Sequence, residues 1–169
     1  MKDKYKHLLN FTANIISLAV EAAMFGWVWY MLYIPMLDKA NTFFNRGNWA
    51  VIGMYVLFVF FFTKIFGGYR IGYMRISDII LSQILAVVLA MIVAYFEICL
   101  VANDYLPPQP LLLMTVTEII FIVPWVVLVR KAYTRLYPPR QMLVIYGNYS
   151  PDDLIGKINT RKDKYNICE

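Results

Sequence analysis

Cysteine and histidine are nearly missing from this 169-residue chain, and charge is scarce. Two cysteines and one histidine are present. Cys99 lies in an apolar run, Cys168 in a polar tail and His7 among lysines. A disulfide would have to join different depths, so both thiols are expected to be free. Ligands this dispersed make no zinc-type set. Only 16% of residues are charged against 60% hydrophobic and 17% aromatic, with mean hydropathy +0.56. Soluble domains carry about 25% charged residues, so that class is excluded. No Lys/Arg stripe interleaved with stacking aromatics occurs outside the apolar runs, which excludes nucleic acid as a partner. There is no low-complexity segment and no internal repeat.

What remains is four apolar runs: 13–34, 49–66, 79–102 and 111–129. At about 1.5 Å per residue, each reaches across a hydrocarbon core of roughly 30 Å. Residues 1–12 have the basic character of a signal-peptide n-region. The following run is too long for one and no small-residue cleavage site follows, so a retained anchor is expected. Trp27, Trp29, Tyr30 and Tyr33 form an expected aromatic belt at the far end of the first run. Ser77-Asp78 is an expected helix N-cap, Pro107-Pro108-Gln109-Pro110 an expected stop, and Pro124 an expected kink.

Lysine and arginine fix the topology. Lys2, Lys4, Lys6, Lys64, Arg70, Arg75, Arg130, Lys131, Arg135 and Arg140 flank one side, and only Lys39 and Arg46 the other. The positive-inside rule then places both termini in the cytoplasm. The loop between runs two and three, centred on Gly67-Gly68-Tyr69-Arg70 and closing with Arg75, is a candidate interfacial site. Glycines followed by arginine suit a phosphate-binding turn or, more simply, a sharp helix end at the interface, where Arg70 and Arg75 meet anionic headgroups.

Three acids sit inside the runs: Glu21, Glu97 and Glu118. Acids at depth are costly and invite a functional reading. Glu21 lies about 12 Å and Glu118 about 16 Å from the inner end of its run, so the two match in depth. Glu97 lies near an outer end and is expected to reach water. Glu21 and Glu118 read either as protonated groups hydrogen-bonded to Asn14, Ser17, Thr115 or Thr117, or as a proton or ion relay.

The tail changes character. Tyr137-Pro138-Pro139-Arg140 is a stiff linker, 141–146 an expected strand and Gly147-Asn148 a turn. Ser150-Pro151-Asp152-Asp153 is an expected helix start, and a second strand is expected from Tyr165. This is a βαβ opening, too short to bury a core of its own. The dinucleotide fingerprint is absent, since Tyr149 stands where its second glycine would be.

These features together resemble the N-terminal region of the bacterial polyprenyl-phosphate glycosylphosphotransferases. The likeness rests on four spans with Gly67-Gly68-Tyr69-Arg70 in the middle loop, then Leu143-Val144-Ile145-Tyr146-Gly147 and Asp152-Asp153-Leu154-Ile155-Gly156-Lys157-Ile158. The resemblance implies an all-α four-transmembrane-helix bundle (13–135) with a truncated Rossmann-like α/β start (136–169), in the bacterial inner membrane. It implies a complete enzyme that moves a sugar-1-phosphate from a nucleotide sugar to undecaprenyl phosphate in exopolysaccharide or capsule synthesis. The resemblance places magnesium and the catalytic residues in a C-terminal domain expected beyond this chain, so no catalytic, cofactor or metal residue is assigned and the chain alone is expected to be inactive. Expected partners are the lipid bilayer, that catalytic domain, a second copy of the chain and polysaccharide-assembly proteins. A stand-alone four-span transport or assembly subunit is the alternative.

Overall fold

The computed structural model describes the backbone of residues 2–37, 45–70, 74–136, 140–142 and 165–167. It divides into two units, 1–129 and 130–169. Four long helices dominate: α1 (Lys2–Val28), α2 (Asn45–Phe66), α3 (Ile76–Ala102) and α4 (Gln109–Leu136). Each is long and apolar enough to cross a membrane, and the chain is a multi-pass membrane protein. Long uninterrupted apolar sequence leaves the backbone only its own carbonyls as partners, and the helix pairs its interior N–H and C=O groups within the segment.

Several boundaries differ from those expected. The basic segment 2–12 continues α1, because nothing in it breaks a helix. At its other end α1 does not stop at Pro35. It widens into a π turn, Trp29–Tyr33, and tightens into a 3-10 turn, Ile34–Met36, with Pro35 accepted near the start. Trp29 and Tyr33, the first and last residues of the π turn, both lie on the buried face with no exposure. Only Trp27 and Tyr30 of the expected aromatic belt face outward. Ser77-Asp78 is not the cap of α3: the N-cap is Arg75, with no side-chain cap, and Asp78 lies in the first turn, where it complements the helix dipole. The proline segment 107–110 does separate α3 from α4, but α4 begins within it, at Gln109, since proline is tolerated in a first helical turn. Pro124 lies inside α4 on an exposed face.

The first unit buries two apolar clusters. One, at the end where α1 runs out and α4 begins, gathers Phe25, Trp29, Tyr33, Tyr55, Ile98 and Leu111. The other gathers Ala13, Ile79, Val87, Ile122, Val126 and Val129. Along α1, Ser17 and Glu21 fall between Ala13 and Phe25. Along α4, Glu118 falls between Met114 and Ile122. Ser17, Glu21, Thr115 and Glu118 are buried between the two clusters and form a polar layer there.

In the second unit, β1 (Arg140–Met142) pairs in parallel with β2 (Tyr165–Ile167), Arg140 opposite Tyr165 and Met142 opposite Ile167. Residues 143–164 lie outside the described residues, and with them the remainder of the expected first strand, the turn at Gly147-Asn148 and the helix start at Ser150. The expected loop cations at Lys39 and Arg46 are likewise not described as side chains.

Candidate functional site: a buried carboxyl layer and the turn that closes it

Glu118 projects from α4 with none of its surface exposed. The Tyr55 hydroxyl of α2 lies 2.9 Å from each of its carboxyl oxygens and donates between them. The Tyr55 ring is held from the other side by Phe25 of α1, stacked at 4.2 Å with planes 8° apart. A flat ring clamped this way has little freedom, so the hydroxyl is fixed on the carboxyl. Glu21 of α1, 5% exposed, accepts from Ser17 Oγ one turn earlier at 3.2 Å. Glu21 lies within electrostatic range of both Tyr55 and Glu118.

Residues 8–37, 47–63 and 76–129 contain no lysine, arginine or histidine. Buried carboxyls facing only hydroxyls and one another are far cheaper to hold neutral than charged. Of the four hydrogen-bonding neighbours expected from sequence, Ser17 serves Glu21. Thr115 and Thr117 do not serve Glu118: their hydroxyls turn back to Leu111 O at 2.9 Å and Met114 O at 2.7 Å on their own helix. Asn14 belongs to the turn instead. Glu97 is half-buried, and its Oε2 is enclosed without a hydrogen-bond partner.

The candidate interfacial loop is a built turn. Gly67 has φ +77°, the left-handed conformation that side chains disfavour. Gly68 N–H donates to Thr63 O at 2.9 Å and Gly67 N–H to Lys64 O at 3.3 Å. This is the Schellman termination of α2. At Gly68 a Cβ would lie 2.9 Å from Thr63 Cγ2 and 3.0 Å from Gln83 Cγ, so the turn is packed onto α3. Both carbonyls that the turn turns inward are taken: Gln83 Nε2 donates to Gly68 O at 3.2 Å, and Asn10 Nδ2 and Asn14 Nδ2 donate to Tyr69 O at 2.9 and 3.4 Å. Burial pushes the Tyr69 hydroxyl up to about 12, with Glu21 adding to the shift and a hydrogen bond with Thr63 opposing it. Arg70 and Arg75 are exposed, and the turn's amides are spent on its own helix, so the phosphate-cradle arrangement of free N–H groups is not formed by Gly67 and Gly68.

Sequence reasoning missed Tyr55, Gln83 and Asn10. A signal existed for the last: Asn10, Asn14, Ser17 and Glu21 recur at four- and three-residue steps, the spacing of one helix face. Among the described residues, no group of three or more His, Cys, Asp or Glu could hold a metal ion. An apolar groove of about 690 Å³ runs between α1 and α4, lined by Val20, Met24, Trp27, Leu113 and Thr117 among others. No protein-family model matches the chain, and searches of curated proteins and of solved structures return no match.

Proposed function

We propose that this chain is the membrane region of a bacterial polyprenyl-phosphate glycosylphosphotransferase, in the inner membrane with both ends in the cytoplasm. The observation that carries the reading is the Gly67–Arg70 turn, docked between spanning helices α2 and α3 and flanked by Lys64, Arg70 and Arg75. The parallel pairing of β1 with β2 supports the Rossmann-like continuation, since parallel strands require a crossover between them. The unequal flanking charge supports the orientation. In this reading the bundle anchors and positions a cytoplasmic catalytic domain. That domain, with magnesium, transfers sugar-1-phosphate from a nucleotide sugar to undecaprenyl phosphate.

The test uses membranes of the source cells with the gene intact or deleted, supplied with undecaprenyl phosphate and labelled nucleotide sugars. An antibody to residues 141–169 should detect a species heavier than 19.8 kDa, and lipid-linked label should disappear with it. A species of 19.8 kDa with unchanged lipid labelling would overturn the proposal. The buried carboxyl layer favours a second reading in that event, a four-span transport or assembly subunit.

A further inference from the structure

The buried polar groups of the first unit are not scattered. On α1, Asn10, Asn14, Ser17 and Glu21 form one stripe, and beyond Glu21 the same buried face becomes Phe25, Val28 and Trp29. The stripe begins at the α2–α3 turn, where Asn10 and Asn14 hold Tyr69 O, and runs past the second apolar cluster, to which α1 gives only the small side chain of Ala13. It ends at the Glu21–Glu118–Tyr55 layer. On the far side of that layer the helices are sealed by an apolar cluster in which Phe25, Trp29, Tyr33 and Tyr55 are each at most 1% exposed.

A second observation, independent of the acids, marks the turn end of the stripe as a place for water. Gln83 is 4% exposed. Its Nε2 is bound to Gly68 O, yet its Oε1 is buried without a partner. Asn10 Oδ1 is also buried without a partner, while its Nδ2 is bound to Tyr69 O. Two enclosed acceptors, attached to neighbouring carbonyls of one turn, both lack a donor. Buried acceptors of this kind are ordinarily satisfied by water.

We infer that the Glu21–Glu118 layer is a proton-binding site loaded from one side only, through the polar stripe that opens at the Gly68–Tyr69 turn. A hydronium at the turn gives up its proton and becomes water, and a carboxylate of the layer gains the proton and becomes a carboxylic acid. The groups facing the site are Tyr55 from α2, Ser17 from α1 and Tyr69 from the turn, while the nearby residue of α3 is the neutral amide Gln83. The helix stretches that carry the site, 8–37, 47–63 and 76–129, contain no lysine, arginine or histidine. Because the path ends against the aromatic cluster, the site stores a proton and does not conduct one. This inference is independent of the transferase proposal.

The test is infrared spectroscopy of the full chain in lipid nanodiscs, with pyranine-loaded proteoliposomes alongside. At neutral pH a protonated-carboxyl band should be present and should be lost or reduced in Glu118→Gln and Glu21→Gln. Its hydrogen–deuterium exchange should slow at least tenfold in Asn14→Leu, which leaves both carboxyls in place, and stay unchanged in Trp29→Phe at the sealed end. A proton gradient should drive no steady flux. Absence of the band, exchange indifferent to Asn14→Leu, steady flux, or a band shifted by sodium at constant pH would each overturn the inference. The last would mark a cation site instead.

Discussion

Replacing Tyr55 by phenylalanine isolates a single hydroxyl at the centre of the protein. The ring, and with it the 4.2 Å stack on Phe25, is retained. What goes is the donor 2.9 Å from both oxygens of Glu118, a side chain with no exposed surface. Interhelical hydrogen bonds in membranes average about 0.6 kcal/mol and reach about 1.7. An acceptor left buried and unpaired costs about 1–3 kcal/mol. One hydroxyl shared by two oxygens in a fully enclosed site belongs at the upper end of the membrane range, so the expected loss is about 1–2 kcal/mol. That is roughly a tenfold change in the unfolding equilibrium, measurable by reversible unfolding in mixed detergent micelles. The loss should vanish when Tyr55→Phe is made in a Glu118→Leu background, since the hydroxyl then has no carboxyl to satisfy. A loss below about 0.5 kcal/mol, or one that persists in the Glu118→Leu background, would refute the reasoning, because the hydroxyl would then act through something other than the carboxyl.

The turn and the aromatic end give four further outcomes. Gly67→Ala places a side chain at φ +77° and should cost about 1–2 kcal/mol; Gly68→Ala adds a Cβ 2.9 Å from buried Thr63 and should cost about 1–3 kcal/mol, both read in the same unfolding assay against a neutral control at Gly53, where a Cβ meets nothing. Tyr69 should remain protonated while exposed tyrosines ionise near pH 10. Since its folded value is raised, its contribution to stability is intact below pH 10 and is lost as pH rises toward about 12; an ultraviolet titration of Tyr69→Phe against the parent isolates the step. Tyr33→Phe removes the donor to Pro107 O at 3.0 Å and should cost about 0.5–1.5 kcal/mol, with protease sensitivity rising in the 103–108 connection.

Long apolar runs and strong helix stops were legible in the sequence. Gly67 is a stop that any reader of the chain can find, and it occupies the left-handed position. The depth match of Glu21 and Glu118 was legible because a helix converts residue count into distance. Which way each side chain faces was not. In a chain surrounded by hydrocarbon, apolar residues point outward and inward alike, so Tyr55 in an uncharged aromatic run carries no mark of facing Glu118. Thr115 and Thr117 looked like partners because their hydroxyls are polar at the right depth, but a hydroxyl on a helix always has a carbonyl of its own helix within reach. The aromatic belt failed at Trp29 and Tyr33 because position at the end of a run fixes depth and not the face a side chain takes, and both continue the buried face of Phe25.

That irregularity has a consequence for how the helix can change. A π turn holds one residue more than an α turn would, so the chain beyond it emerges out of step by one residue, roughly 100° of rotation. The extra residue acts as a phase corrector. It brings the Tyr33 hydroxyl to Pro107 O at 3.0 Å, on the approach to the fourth helix, while the Trp29 indole N–H at the start of the turn reaches Asn48 of the second helix at 3.3 Å. Deleting a single residue within 29–33 would let the turn relax to regular α geometry and swing that terminus round the helix axis. A chain one residue shorter there would have to find a new partner for the Tyr33 hydroxyl, however little its hydropathy had changed.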